Sequence, residues 1–160
     1  CCKIAPARIY EAMESLGGNG YVEERPIARH YREAPVNAIW EGSGNVMALD
    51  VLRVLQRGKD LFDLVFETLE RDLGPSGKKT TEVLRAAIAL CERDEGAARL
   101  LVEQFALAAA AAELCRIGAG RIADAFLETR LAGGWRHTYG MLDSRFDPTY
   151  IIDLLYPPVA

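Results

Sequence analysis

The run EAMESLGGNGYVEERPIARHYREAPVNAIWEGSGNVMALDVLR, residues 11 to 53, is punctuated as a series of helices joined by glycine and proline. It enters from a helical segment, residues 3 to 16 (KIAPARIYEAMESL), which closes on Gly17 and Gly18. Glycine tolerates the left-handed turn that follows a helix end, and Asn19 and Gly20 extend that turn. A shorter helix is predicted over Ile27 to Arg32, stopping near Ala34 because Pro35 disfavours helical geometry in the residue before it. Ser43 then reads as the N-cap of a helix running to Arg57, with Met47, Val51, Val54 and Leu55 as its buried stripe.

The same spacing continues beyond this run, and nowhere does strand alternation replace it. Leu61, Phe62, Val65, Phe66 and Leu69 define a helix that ends at the turn-forming GPSG of residues 74 to 77. Thr80 or Thr81 is placed to cap the next helix, which carries Val83, Leu84, Ala87, Ile88 and Cys91. An alanine-rich helix follows, with Leu101, Phe105, Ala108, Ala112 and Cys115 on one face, where small side chains let a neighbour approach closely. A segment through Ile122, Phe126 and Leu131 is expected to end at Gly133 and Gly134. A short helix is predicted near Thr149 to Leu155, stopped by Pro157 and Pro158. The predicted class is all-α: a helical bundle with appended C-terminal helices.

The 160 residues are half hydrophobic and 26% charged, enough for a domain with a real core. A net charge of -4 creates no field that would draw nucleic acid or an anionic membrane. No apolar run reaches the roughly 18 residues of a membrane span, and no secretory signal is visible, so a cytoplasmic setting is expected. Cys1 and Cys2 are adjacent, and Cys91 and Cys115 lie in helical patterns. No metal-ligand spacing results, and buried free thiols in a reducing compartment are the reading. The chain opens on Cys1 within a helical pattern rather than on Met, so a piece of a longer protein is expected.

Two segments carry possible chemistry: LGGNGY at residues 16 to 21 and IWEGSGN at residues 39 to 45. In the second, the carboxylate of Glu41 stands just before flexible backbone and a helix start. Gly42 and Gly44 let a planar ligand approach the main chain, Ser43 and Asn45 offer hydrogen bonds, and the helix directs free N–H groups at the same place. The plainer reading is that Glu41 complements the helix dipole and Ser43 caps, together contributing about 1 kcal/mol. GGNG alone reads as a tight turn; a helix precedes it, so it lacks the strand-glycine-helix context of a dinucleotide fold. His30 and His137 have no nucleophile partner at a recognisable spacing and read as surface or capping residues. Arg25, Arg29 and Arg32 are placed to pair with nearby glutamates.

Residues 11 to 53 resemble the signature region of the acyl-CoA dehydrogenases, with both landmarks in order and the HYRE tract between them. The resemblance is strongest over residues 1 to 57 and points to the AidB-like alkylation-response branch. It implies residues 1–73 as a C-terminal helical segment with FAD and active-site loops, and residues 78–160 as a helical extension packed on it. Carried over by motif, Glu41 matches the catalytic base, whose backbone N–H also polarises the thioester carbonyl. Gly42 keeps space beside flavin and substrate, and Ser43 and Asn45 match FAD-contacting positions. Gly17 and Gly18 match the glycines of a Gln-x-x-Gly-Gly element that reaches the FAD of a neighbouring subunit. Glu14 stands where that element has glutamine, and a carboxylate near a diphosphate is not a ligand. Trp40 stands where many relatives have tyrosine; it either narrows the acyl pocket or is a core aromatic.

The resemblance implies FAD as cofactor, an acyl-CoA thioester as substrate and a homo-oligomer, a tetramer in the parent protein. The family holds most of its flavin with a middle β domain and an N-terminal helical domain. This chain alone is therefore expected neither to retain FAD nor to turn over acyl-CoA. A DNA-protecting role, implied by the alkylation-response branch, is the alternative. It calls for a basic extension, whereas residues 61 to 160 hold 11 Lys and Arg against 15 Asp and Glu. Arg116, Arg121, Arg130 and Arg136 are the candidates for a basic cluster. A module for subunit association is the third reading.

Overall fold

The computed structural model describes residues 1–40, 42–132, 139–140, 142 and 145–158. Among these residues all regular structure is helical, in agreement with the all-α expectation. The chain divides into two compact units, Cys1–Arg53 and Val54–Ala160.

In the first unit, α1 (Ala5–Ser15) takes Pro6 in its first turn, where the missing N–H costs nothing. It ends at Leu16, and Gly17 turns the chain at φ 57° into the single-turn α2 (Gly18–Tyr21). Pro26 opens α3 (Pro26–Glu33) after an extended Arg25. Pro35 then tightens the backbone into a 3-10 turn over Ala34–Ala38. Helix α4 (Gly44–Arg57) starts directly after Ser43, as its N-cap position predicts. Its buried residues are Ala48 and Leu52, while Met47 and Val54 are half exposed. The stripe is thus rotated by about one residue from the expected Met47–Val51–Val54–Leu55 line. Four consecutive apolar positions fit either face, and periodicity alone does not choose between them.

The second unit is a bundle of α5 (Lys59–Leu73), α6 (Gly77–Cys91), α7 (Ala98–Arg116) and α8 (Gly120–Leu127). Helices α5, α6 and α7 pack mutually, and α8 packs on α7. Phe66, Leu69, Leu73, Leu84, Ala108, Ala111, Ala112, Leu127 and Leu131 form its core. The alanines of α7 are the small residues that admit close neighbours. Phe105 meets Phe62 edge-on at 5.8 Å and stacks on Phe66 at 6.0 Å. The GPS turn, residues 74–76, joins α5 to α6.

Thr80 and Thr81 lie inside α6 and are buried, so neither is the expected cap. Thr80 returns its hydroxyl to the Ser76 carbonyl at 2.9 Å, and Thr81 donates to Glu70 Oε1 at 2.6 Å, tying α6 to α5. The last turn beyond α8, Glu128–Ala132, widens to π-helix. Helix α9 (Pro148–Leu155) is capped by Asp147, which accepts from the Tyr150 N–H at 3.0 Å. The helix end expected at Gly133 and Gly134, and His137 and Arg136, lie outside the described residues.

Candidate functional site

The IWEGSGN loop hangs between the 3-10 turn and α4. Ile39 and Trp40 both donate their N–H to the Val36 carbonyl, at 3.0 and 3.1 Å, and Gly42 donates to Ile39 at 3.2 Å. These bonds fold the chain back on itself just before the helix. Gly42 has φ 128°, a conformation that side-chain-bearing residues avoid, and a Cβ there would stand 3.1 Å from Met47 Sδ. Met47, one turn into α4, thus forms the floor beneath Gly42. Helical spacing marks Met47 as part of a buried stripe and gives no sign of its place beneath Gly42.

Ser43 lies exposed at the helix start, its carbonyl accepting from the Met47 N–H at 3.1 Å. The loop therefore presents the positive end of a fourteen-residue helix. Asn45 sits in the first turn of α4. Trp40 is 68% exposed, so within this chain it is no core aromatic. Glu41 lies outside the described residues.

The Gly17–Gly18 turn rests on the end of α1, with the Gly17 N–H on the Glu14 carbonyl at 3.0 Å. No atom lies within 4 Å of the Cβ position of either glycine, so both backbones stand open to a ligand. The open faces of Gly17 and Gly18 and the positive φ of Gly42 suit the edge of a planar cofactor approaching main chain. They do not enclose one. Glu14 is exposed, and its side chain adds a negative charge beside the turn.

Around these loops the HYRE helix is laced by ion pairs. Arg32 grips Glu23 with both terminal nitrogens, Nη2 donating to Oε2 at 2.8 Å, and Arg29 donates to Glu33 at 2.9 Å. The Arg32 hydrogen bonds hold the Glu23 carboxyl below the ordinary glutamate range, and Arg29 does the same for Glu33. His30 is exposed and lines an open groove with Ile9, Ile27 and Asn37. Cys91 is buried and Cys115 partly buried, with both thiols pushed above their ordinary value chiefly by burial. Among the described residues no group of three metal-ligating side chains occurs, and no helix is long and apolar enough to cross a membrane.

Residues 1–56 match the family model for the acyl-CoA dehydrogenase C-terminal domain. Over these residues the chain is similar to the acyl-CoA dehydrogenases. The AidB protein of Escherichia coli (strain K12) is 38% identical over 130 residues, covering 81% of this chain and 24% of that protein. Acyl-CoA dehydrogenase family member 11 of Caenorhabditis elegans is 38% identical over 93 residues, 54% of this chain and 15% of that protein. The mitochondrial short-chain specific acyl-CoA dehydrogenase of Bos taurus is 47% identical over 49 residues, 31% of this chain and 12% of that protein. The chain therefore spans a quarter or less of the length of these relatives. Both glycine loops fall inside the acyl-CoA dehydrogenase match, and the similarity to AidB extends well into the second unit's share of the chain.

Proposed function

We propose that this chain is the C-terminal helical part of an FAD-dependent acyl-CoA dehydrogenase of the AidB-like branch, with Glu41 as its catalytic base. The observation that carries the reading is the loop itself. A glycine at φ 128°, directly after Glu41, sits at the start of a long helix within the segment that matches the family. In this reading Glu41 takes the proton alpha to the thioester carbonyl. The electron pair released there forms the new carbon–carbon double bond as hydride departs from the beta carbon. FAD, when bound, supplies the hydride acceptor. That chemistry requires a carboxylate kept basic near neutrality by exclusion of water, and a positioned base contributes about 10²- to 10⁴-fold. Its backbone N–H would polarise the thioester carbonyl.

Gly42 leaves room for the acyl chain, and exposed Trp40 would wall the pocket once the rest of the protein surrounds it. Ser43 and Asn45 would contact FAD, and Gly17 and Gly18 would offer backbone to the FAD of a neighbouring subunit. The buried residues of the first unit are Gly20, Ala28, Ala34, Ala48 and Leu52, while Tyr21, Ile39 and Trp40 remain exposed. Such a surface suits assembly into a larger flavoprotein, a homotetramer in a cytoplasmic setting, and this chain alone neither retains FAD nor turns over substrate. The DNA-binding alternative is disfavoured by charge, since Arg116 pairs with Glu113 and Arg121 with Asp147.

The test uses the complete protein and a Glu41→Gln partner, each mixed with a panel of acyl-CoA thioesters. Flavin absorbance is expected to bleach with at least one thioester and to stay oxidised in the Glu41→Gln protein. A flavin that no thioester bleaches would overturn the dehydrogenase reading.

A further inference from the structure

The segment Arg145–Tyr156, near the end of the described residues, is joined to the bundle largely by charged contacts. None of the residues of α9 is buried, and Ile152, Leu155 and Tyr156 are 57%, 68% and 78% exposed. Phe146, Tyr150 and Ile151 are half-buried, and the hydrogen bonds that tie the segment to α8 and the turn after it are charged. Arg121 reaches Asp147 Oδ2 at 3.4 Å, and its guanidinium lies 4.1 Å from the centre of the Tyr150 ring. About two turns beyond Arg121, Glu128 Oε1 accepts from Arg145 at 2.6 Å, on the π-helical turn. Beneath these contacts a cavity of about 60 Å³ remains between Ala125, Phe146 and Tyr150, so apolar packing under the segment is incomplete.

We propose that Arg145–Tyr156 is an arm latched to α8 by charge, with Arg121 as the principal latch, and that it opens independently of the bundle. Exposed ion pairs are individually weak and screened by salt, and cation–π contacts at exposed sites are weak as well. Apolar docking has the opposite salt response, staying unchanged or tightening. The bundle itself is held chiefly by apolar contacts, among them buried Leu84 and Leu101 and the Phe62–Phe66–Phe105 cluster, which salt does not screen. Asp147 is also the N-cap of α9, so the latch is tested at Arg121, whose loss leaves the cap intact.

The experiment is amide hydrogen exchange on the complete protein, comparing the peptide over α9 with one over α7 at about 0.05 M and about 0.5 M NaCl. Exchange in α9 is expected to rise roughly fivefold with salt, and by a similar factor in Arg121→Gln at low salt, with α7 unmoved. Arg121→Lys is expected to keep most of the protection. If salt leaves α9 unchanged or slows its exchange, or if Arg121→Gln and Arg121→Lys behave alike, the arm is held by packing and the latch is wrong. Parallel acceleration of α9 and α7 would also overturn it, because the arm would then open only with the bundle.

Discussion

Gly20 lies so close to α1 that a Cβ added to it would stand 2.2 Å from the carbonyl oxygen of Met13. The contact is with backbone, which cannot swing aside, so the glycine sets the distance between α1 and α2. Gly17 and Gly18 have no neighbour at their Cβ positions. The GGNG motif therefore divides into an open pair and one packing glycine.

Gly20→Ala is expected to destabilise the protein by about 1–3 kcal/mol, the usual cost of forced overpacking. Gly18→Ala is expected to leave folding nearly unchanged while weakening flavin retention in the complete protein. Thermal unfolding and flavin content measured on both variants check this, and equal melting temperatures for the two would refute the division of labour.

That division was hidden in the sequence, where all three glycines read as parts of one turn. The helices were legible because Gly17, Pro35 and the GPSG turn mark their ends on the chain itself. Which face of α4 is buried was not, since Met47, Ala48, Val51 and Leu52 offer two apolar faces one residue apart. The Thr80 and Thr81 hydroxyls were misjudged for a related reason: a threonine near a helix start caps or packs depending on a partner, here Glu70, eleven residues away from Thr81. The loop around Glu41 stood out as a candidate site because glycines follow a carboxylate just before a helix start. The roles proposed for Glu41, Trp40, Ser43 and Asn45 rest on a resemblance of motif rather than on periodicity.

Burial separates two large side chains that the sequence treats alike. Leu84 is fully buried in the second unit, whereas Trp40 is 68% exposed. Leu84→Ala is expected to cost about 2–5 kcal/mol through lost contacts and a residual cavity. Trp40→Ala in this 160-residue chain is expected to change stability by no more than about 0.5 kcal/mol. Chemical denaturation of the two variants gives the comparison. A loss at Trp40 rivalling that at Leu84 would make the indole a core residue after all.

The four thiols fall into two classes, and the expectation that all are buried fails at the chain start. Cys1 and Cys2 are exposed, while burial, reinforced by Asp94 near Cys91 and by Asp124 and Asp72 near Cys115, pushes the other two thiols up. A raised thiol pKa leaves less thiolate at any given pH below it, and thiolate is the reactive form. Iodoacetamide at pH 8 is therefore expected to modify Cys1 and Cys2 first, with Cys91 and Cys115 at least about tenfold slower. Peptide mass mapping over time reads the order, and rapid labelling of Cys91 in the folded protein would contradict its burial.

The Glu23–Arg32 pair carries a pH signature whose sign is fixed by its geometry. Glu23 is held below the ordinary glutamate value, first by the hydrogen bonds from Arg32 and also by its charge. A carboxylate with a depressed folded-state pKa stabilises the fold fully above its unfolded value of about 4.3. That contribution is lost as pH falls through the lower, folded value. Both side chains are more than half exposed, so solvent screens the pair and its effect on stability at neutral pH is small. The titration midpoint is the sharper readout. In Arg32→Gln the Glu23 midpoint, followed by carboxyl carbon NMR, is expected to rise towards the ordinary value. Glu33, whose lowering comes first from its hydrogen bond to Arg29, is expected to hold nearly still and serves as the internal reference. A Glu23 midpoint that does not move would mean that Arg32 is not what holds the loop before α3 to that helix.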